Sequence, residues 1–330
     1  MAKGDIIAKL ESAQLSGRGG AAFPTAVKWQ AVKNQLAEKK YIVANGSEGE
    51  PNVLKDGYIL AHYPAELISG IKIALQYIDH ATAIIFLRKD YYRKYKAKLE
   101  KLIGRAPIKL FREKGGYLSG EETVLCQEIE HHLARPRIKP PYPGQAGIFG
   151  CPTLINNIET FYFVSQIAKN KYQHSRFYTI SGDVKKPGVY ELPDSWSIQR
   201  ILQHTGNLPK TDYFLQIGGG ASGEILLPSE TKKKVGGSGA IVIFDRAKTD
   251  LYQLMKFWVT FFMRENCDKC TPCREGTYRL EKMLENKKLD AKKIEDLMFV
   301  LENTSFCALG KSVVVPFRSL LAKIKISPRG

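Results

Sequence analysis

The stretch KKYIVANGSEGEP (39–51) sets the architecture. Residues 39–45 form a short β-rich run that breaks into a polar loop carrying Asn45, Glu48 and Glu50. Helix and strand signals alternate on the C-terminal side. Residues 63–78 place Leu67, Ile71, Leu75 and Ile78 at helical spacing. ATAIIFLR (81–88) reads as a buried strand. Residues 90–104 form a charged amphipathic helix that Asp90 can cap, and residues 107–113 a further strand. Residues 121–133 return to helix directly after a glycine. This is α/β construction, which places ligand-binding loops at the strand ends.

Farther out the pattern changes twice. Residues 135–153 hold five prolines and three glycines, so an extended segment is expected there. Residues 156–170 read as helix. From about 175 to 245 short strands and turns dominate, interrupted by one helix at 197–205. From about 248 onward the pattern is helical. Three domains are expected: an α/β domain over 1–174, a small α+β domain over 175–246 and a helical domain over 247–330.

The composition is that of an ordinary globular protein, 44% hydrophobic and 25% charged. The N-terminus is polar and lacks a signal-peptide core. No apolar run approaches the roughly 20 residues of a membrane span. A cytoplasmic location without membrane insertion is expected. The net charge of +17 is unusual. Its lysines, including the 287–288 pair, are scattered and lack interleaved aromatics. A solvated surface or attraction to an acidic partner explains them better than nucleic acid.

The helical region carries the most specific chemistry. NCDKCTPCREG (266–276) spaces Cys267, Cys270 and Cys273 as C-x₂-C-x₂-C, and Cys307 follows in SFCALG. Three close thiolates and a distant fourth suit the corners of an iron–sulfur cube. Zinc, which more often takes two separate C-x₂-C pairs, and plain reduced thiols are the alternatives. Cys126 and Cys151 read as packed thiols, and His131 and His132 as solvent-facing.

Three loops suggest a cofactor cleft. SGRGGAAFPTAVKW (16–29) offers Gly17, Gly19 and Gly20, through which backbone N–H groups can approach an anion. A helix starting at Pro24 and Thr25 adds its positive end, and Lys28 lies one turn in. The loop after residue 45 carries Glu48 and Glu50. GGYLSGEET (115–123) places Glu121 and Glu122 beside Gly120. Carboxylates at strand ends can bind ribityl or ribose hydroxyls; helix capping by Glu121 and Glu122 is the structural alternative.

With these residues in order, the chain resembles the NADH-binding flavoprotein subunits of respiratory complex I, NAD-reducing hydrogenases and formate dehydrogenases. GRGGAAFPT, NGSEGEP, KD (55–56), GEET, PRIKPPYP, GCPTLINNIET, the cysteine stretch and FCALG carry the resemblance from about residue 15 to 320. It implies a Rossmann-like FMN and NADH domain, a ubiquitin-like SLBB domain and a helical bundle holding one [4Fe–4S] cluster. FMN contacts map onto Gly17, Arg18, Gly19, Gly20, Asn45, Glu48, Gly120, Glu121, Glu122 and Asn157, with Asn156 beside it. NAD(H) contacts map onto Phe23, Lys28, Glu50 and Tyr142, and Tyr117 matches an aromatic near the flavin. Glu48 and Glu121 are the carboxylates assigned to the reacting centre. The cluster ligands map onto Cys267, Cys270, Cys273 and Cys307.

The implied activity is hydride transfer from NADH to FMN, in either direction, with single electrons leaving through the cluster. The implied partners are a thioredoxin-fold [2Fe–2S] subunit and further iron–sulfur electron-transfer subunits of a multi-subunit complex, including the peripheral arm of a membrane-attached one. Carboxylates on the ribose side imply NADH over NADPH. The chain departs from the family where Ser47 replaces a flavin-contacting Asp, Ser119 a Cys and Ala31 an adenine-stacking aromatic. A degenerate scaffold that keeps the cluster but lacks FMN is the alternative those departures raise.

Overall fold

A computed structural model describes residues 5–286 and 289–324 of the chain. Lys287 and Lys288, the extreme N-terminus and residues 325–330 lie outside the described residues. The chain divides into two compact units, one of residues 1–49 and 54–177, the other of residues 50–53 and 178–330.

The first unit is built on a four-stranded parallel sheet. Its elements run α1 (Asp5–Ser12), α2 (Thr25–Lys33), β1 (Lys40–Gly46), α3 (Lys55–His62), α4 (Pro64–Tyr77) and β2 (Ala81–Leu87). They continue with α5 (Lys89–Ile103), β3 (Ile108–Arg112), α6 (Glu122–His131), α7 (Pro143–Ala146), β4 (Thr153–Asn157) and α8 (Ile158–Ala168). The strand order is β3-β2-β1-β4. Tyr41 and Val43 of β1 join Ile84, Phe86 and Ile155 in a cluster closed by Leu125 and Cys126 of α6. Ile42 and Ala44, fully buried, face the other way, where α4 and α8 pack on β1. Cover on both faces is what a parallel sheet requires. Burying each large apolar side chain contributes about 1.5–3 kcal/mol.

Several expectations need correction. Asn156 and Asn157, read as the start of a helix, instead end the strand β4, and α8 starts only at Ile158. Two asparagines in a five-residue buried run hid the strand. The proline-rich segment is not extended throughout: Pro143 starts the short α7. Asp90 does not cap α5. Arg88 is the N-cap, and Asp90 holds its guanidinium from the first turn with two contacts of 2.6 Å.

The second unit contains a five-stranded mixed sheet, and β5 (Ser175–Gly182) enters it from the first unit. Its other elements are β6 (Gly188–Pro193), α9 (Ile198–Thr205), β7 (Tyr213–Ile217), β8 (Glu224–Leu226) and β9 (Ala240–Asp245), in strand order β6-β5-β9-β7-β8. β5 and β9 run parallel, and β7 is antiparallel to both β8 and β9. Ile198, Ile201 and Leu202 of α9 pack on Ile180, Leu215 and Ile241 of the sheet. Five helices follow: α10 (Leu251–Glu265), α11 (Thr271–Glu285), α12 (Ala291–Thr304), α13 (Ala308–Ser312) and α14 (Val314–Lys323). Lys323 anchors α14 to the sheet through Glu224, Glu230 and the Ile225 carbonyl. Among the described residues, no helix is long and apolar enough to cross a membrane.

Candidate functional site

The sheet order fixes where a ligand can sit. From β1 the chain adds β2 and β3 on one side and β4 on the other, so the strand order reverses between β1 and β4. Open parallel sheets bind ligands at the carboxyl ends of such a switch point. The register pairs Asn45 at the end of β1 with Asn157 at the end of β4. Asn157 Nδ2 donates to the Asn45 carbonyl at 3.1 Å, and Asn45 Nδ2 donates to the Gly120 carbonyl at 2.9 Å. An ideal Cβ on Gly19 would lie 3.3 Å from the Asn157 Cβ. Three glycine-bearing loops thus converge on this one strand pair.

Each loop is shaped for close backbone approach. The 16–24 loop is closed by a Ser16–Pro24 bridge and by the Gly17 N–H on the Phe23 carbonyl. Gly20 takes φ +116, with open space where a Cβ would be. Gly49 lets the turn at Tyr117 press on the β1 loop; a Cβ there would stand 2.7 Å from the Tyr117 Cα. The start of α2 has no side-chain cap and no acidic residue in its first turn. The Thr25 hydroxyl beside it is buried without a partner. Free donors, a positive helix end and space at Gly20 fit a phosphate.

A charged network lies under the loops. Lys55, 2% exposed, places Nζ 2.7 Å from Asp56, 3.2 Å from Glu159 and 2.8 Å from Asn157 Oδ1. Asn157 Nδ2 also donates to Asp56 at 2.7 Å. Burial opposes a charge on Lys55, yet Asp56, Glu159 and Glu48 keep its pKa raised. Glu48 accepts from the N–H groups of Asp56 (2.8 Å) and Gly57 (3.2 Å) and from the Tyr91 hydroxyl (2.7 Å). It therefore caps the start of α3 from outside. Burial, aided by Asp56, pushes its carboxyl up to about 7.

That shift carries a sign. A carboxyl raised from 4.5 to about 7 holds its proton more tightly in the folded chain than in the unfolded one. The stability it adds is complete below 4.5 and lost as pH rises through 7. Glu113 is raised to about 7 as well, chiefly by burial. The melting temperature of cofactor-free protein is expected to fall between pH 5 and 8. Glu48→Gln should flatten that slope, and an unchanged slope would remove Glu48 from this role.

Several predicted residues face elsewhere. The Arg18 guanidinium reaches the Tyr172 hydroxyl (3.0 Å) and the Ser175 carbonyl (3.3 Å), and its backbone N–H reaches Thr160. Arg18 fastens the glycine loop to the protein. Asn156 accepts from Trp29 Nε1 at 3.0 Å on the opposite face of β4 from Asn157. Glu121 caps α6 through the N–H groups of Thr123 (2.8 Å) and Val124 (3.0 Å). Lys139 bridges Glu121 (3.0 Å) and Glu122 (3.2 Å), and Lys28 stands 3.7 Å from Glu122. Burial lowers the Lys28 pKa, and Glu122 partly restores it. Phe23 and Tyr142 are more than half exposed, as ring-stacking partners for a ligand must be. The Glu50 carboxylate lies in the second unit on the Ala221 N–H (3.1 Å) and the Ser222 hydroxyl, in the turn after β7. No local pattern signals that distant pairing.

The cysteines lie in the second unit. Cys270 is the N-cap of α11, Cys273 sits in its first turn, and Cys307 is the N-cap of α13. Asp268, at φ +55, turns the loop that carries Cys267. Lys269 lies 4.2 Å over the Phe306 ring, which joins that loop to the Cys307 segment. A Cβ on Gly310 would lie 3.2 Å from the Cys273 Cβ. Burial raises the Cys273 thiol to about 12, and Cys270, Cys307 and Cys267 add to the effect, so all four sulfurs share one neighbourhood. Two helix N-termini favour thiolates, and four cysteines gathered in one neighbourhood are the donor set a four-iron cluster takes. Cys126 is fully buried and inert.

Comparison with known proteins places the chain among relatives. Residues 10–166 match the Nuo51 FMN-binding domain, and residues 253–325 match the NADH-ubiquinone oxidoreductase-F iron-sulfur binding region. The second F-type subunit of the NADH-quinone oxidoreductase of Rhizobium meliloti (strain 1021) is 31% identical over 365 residues, 96% of this chain and 86% of that protein. The NAD-reducing hydrogenase HoxS subunit alpha of Cupriavidus necator is 30% identical over 96% of this chain, which spans 59% of that protein. A crystal structure of an NAD+-reducing [NiFe]-hydrogenase superposes with a TM-score of 0.89 at 30% identity, covering 97% of this chain and 61% of that one.

Proposed function

We propose a role that follows from kinship: this chain belongs to the family of the F-type subunits of NADH-quinone oxidoreductase, and it acts as the NADH-oxidising flavoprotein of a multi-subunit electron-transfer complex. The observation that carries this reading is the convergence of the glycine loop, the β1 loop and the Gly120 turn on the Asn45–Asn157 strand pair. These loops would hold FMN, which would supply the means to turn a two-electron hydride from NADH into single electrons, and the four cysteines would hold a [4Fe–4S] cluster able to carry one electron at a time.

The residues divide the work. The glycine loop and the start of α2 hold phosphate. Asn45, Gly120 and Asn157 border the ring site, and the Lys55 network keeps Asn157 in place. Phe23 and Tyr142 stack the dinucleotide, and Lys28 meets its pyrophosphate. Cys267, Cys270, Cys273 and Cys307 hold the cluster. Holding two reactants face to face in a water-poor cleft is the chief contribution, and no strong general base is needed. We assign Glu48 and Glu121 to positioning, since their oxygens are committed to helix starts. The exposed aromatics and loop donors favour this reading over a scaffold without FMN.

The strand order β6-β5-β9-β7-β8, with β5 and β9 parallel at its centre and α9 packed on it, supports a ubiquitin-like domain over residues 175–246. The α10–α14 bundle is the cluster domain. We assign a thioredoxin-fold [2Fe–2S] subunit as the acceptor side, as the family resemblance implies.

Lys139 offsets the charges of Glu121 and Glu122, so repulsion of a 2′-phosphate depends on both carboxylates remaining. Glu121→Ala is expected to narrow the preference for NADH over NADPH by about tenfold, and to cost about 1 kcal/mol through the lost cap. Steady-state kinetics with both nucleotides checks this; unchanged discrimination removes Glu121 from the role.

A further inference from the structure

We propose that Glu113, acting through the Ser47 hydroxyl, is a positioning residue that takes up a proton when negative charge enters the flavin cleft. The inference rests on the FMN reading above. Ser47 follows β1 in the loop that borders the cleft, is 5% exposed, and holds its backbone N–H on Asn45 Oδ1 at 3.1 Å. Its hydroxyl donates to the carboxylate of Glu113. Glu113 is 5% exposed and follows β3, with its N–H on the Leu87 carbonyl at 2.9 Å.

The charges facing Glu113 come from three elements. Arg88 follows β2, but its guanidinium is committed to Asp90 on α5 and to the Glu48 carbonyl at 2.7 Å. Glu128 of α6 is fully buried and accepts from the N–H groups of Lys114 and Gly115 and from the Ser119 hydroxyl at 2.6 Å. Asp90 adds a further negative charge. Glu113 therefore meets two carboxylates and one guanidinium already engaged elsewhere. Burial holds its carboxyl at about 7, against the opposing pull of the Ser47 hydrogen bond.

The hydrogen bond can run in two directions. An ionised Glu113 accepts from Ser47. A protonated Glu113 donates to Ser47 Oγ and frees the hydroxyl proton to turn toward Gly120, where a Cβ position lies 3.7 Å from Oγ. At the cleft the chain presents the Ser47 hydroxyl, with the Glu113 carboxylate one hydrogen bond behind it. An ionised Glu113 puts a negative charge there, and a proton can cancel it. When NADH delivers two electrons to the cleft, one proton passes from solvent to the Glu113 carboxylate, and no carbon bond changes at that residue.

The test is a spectroelectrochemical titration of the flavin in the reconstituted full-length chain from pH 6 to 9, with the extra slope read above pH 7, where Glu113 is ionised before reduction. Uptake of one extra proton per two electrons makes the reduction equilibrium about tenfold more pH-dependent per unit, or about 30 mV. That extra slope is expected in the wild type, absent in Glu113→Gln and reduced in Ser47→Ala. The reduced-minus-oxidised infrared spectrum should gain a carboxylic-acid carbonyl band that Glu113→Gln lacks. Equal slopes in wild type and Glu113→Gln would overturn the inference. If Glu113→Gln does not fold, a wild-type slope without the extra proton overturns it alone. Wild-type protein that takes up no flavin overturns the reading of the cleft and this inference with it.

Discussion

Cys273→Ser is expected to strip the protein of its cluster while leaving the flavin site able to react. A serine hydroxyl at this buried position is a hard, poorly ionised ligand where the iron needs a soft thiolate. Cys273 is the most buried of the four sulfurs and stands at the start of α11, against α13. Its replacement opens one corner of the cage, and the second unit holds no fifth cysteine to fill it. Iron per chain should fall to near zero after anaerobic reconstitution, and the brown absorbance should vanish. NADH should still bleach the flavin, but electrons should no longer leave for an iron–sulfur acceptor. Full iron retention in Cys273→Ser would show that the cage is built from other residues.

Lys55→Met is the second large effect expected. Among the described residues, Lys55 is the cation that touches both Asp56 and Glu159, and all three are buried to 2% exposure or less. Removing it leaves two carboxylates facing each other without that counter-charge. Breaking a buried pair from one side costs about 3–5 kcal/mol. The loss should reach function as well, because Lys55 and Asp56 together fix Asn157 at the end of β4. Urea denaturation measures the first consequence and flavin dissociation the second. The combination Lys55→Met with Asp56→Asn should recover part of the stability. A single variant as stable as wild type would show that the two buried carboxylates need no lysine between them.

How much of this was legible depends on the range of the signal. β1, β2 and α4 announce themselves through local periodicity, because their apolar residues repeat along one segment. α1 and α3 are eight residues each and mix apolar with polar positions, so no stripe emerges. β4 ends in two asparagines, and only its seat beside β1 makes it a strand. The glycine loops and the cysteine spacing are composition signals, and the sequence carries them plainly.

Side-chain direction is not local. Arg18 sits inside the glycine loop yet points to Tyr172, and Glu50 sits in the acidic loop yet meets Ser222. Lys55, Glu159 and Glu113 acquire their meaning from partners 66 to 104 positions away in sequence, such as Glu113 with Ser47 at a separation of 66. A buried lysine followed by an aspartate was visible as a motif element; the glutamate that completes the network was not.

The two units also show why one chain carries both cofactors. A parallel sheet supplies a cleft at its switch point, suited to a flat, phosphate-bearing coenzyme. Helix starts in the α10–α14 bundle supply ends that favour thiolates, suited to an inorganic cluster. Each site follows from the geometry of its own element type.

The decisive measurement is an anaerobic titration of the reconstituted wild-type chain with NADH, followed by flavin absorbance and by low-temperature electron paramagnetic resonance. One riboflavin phosphate and four irons are expected per chain, with loss of the flavin band on adding NADH and a reduced-cluster signal growing with it. Protein that binds neither group, or binds both and stays oxidised under excess NADH, contradicts the proposed function.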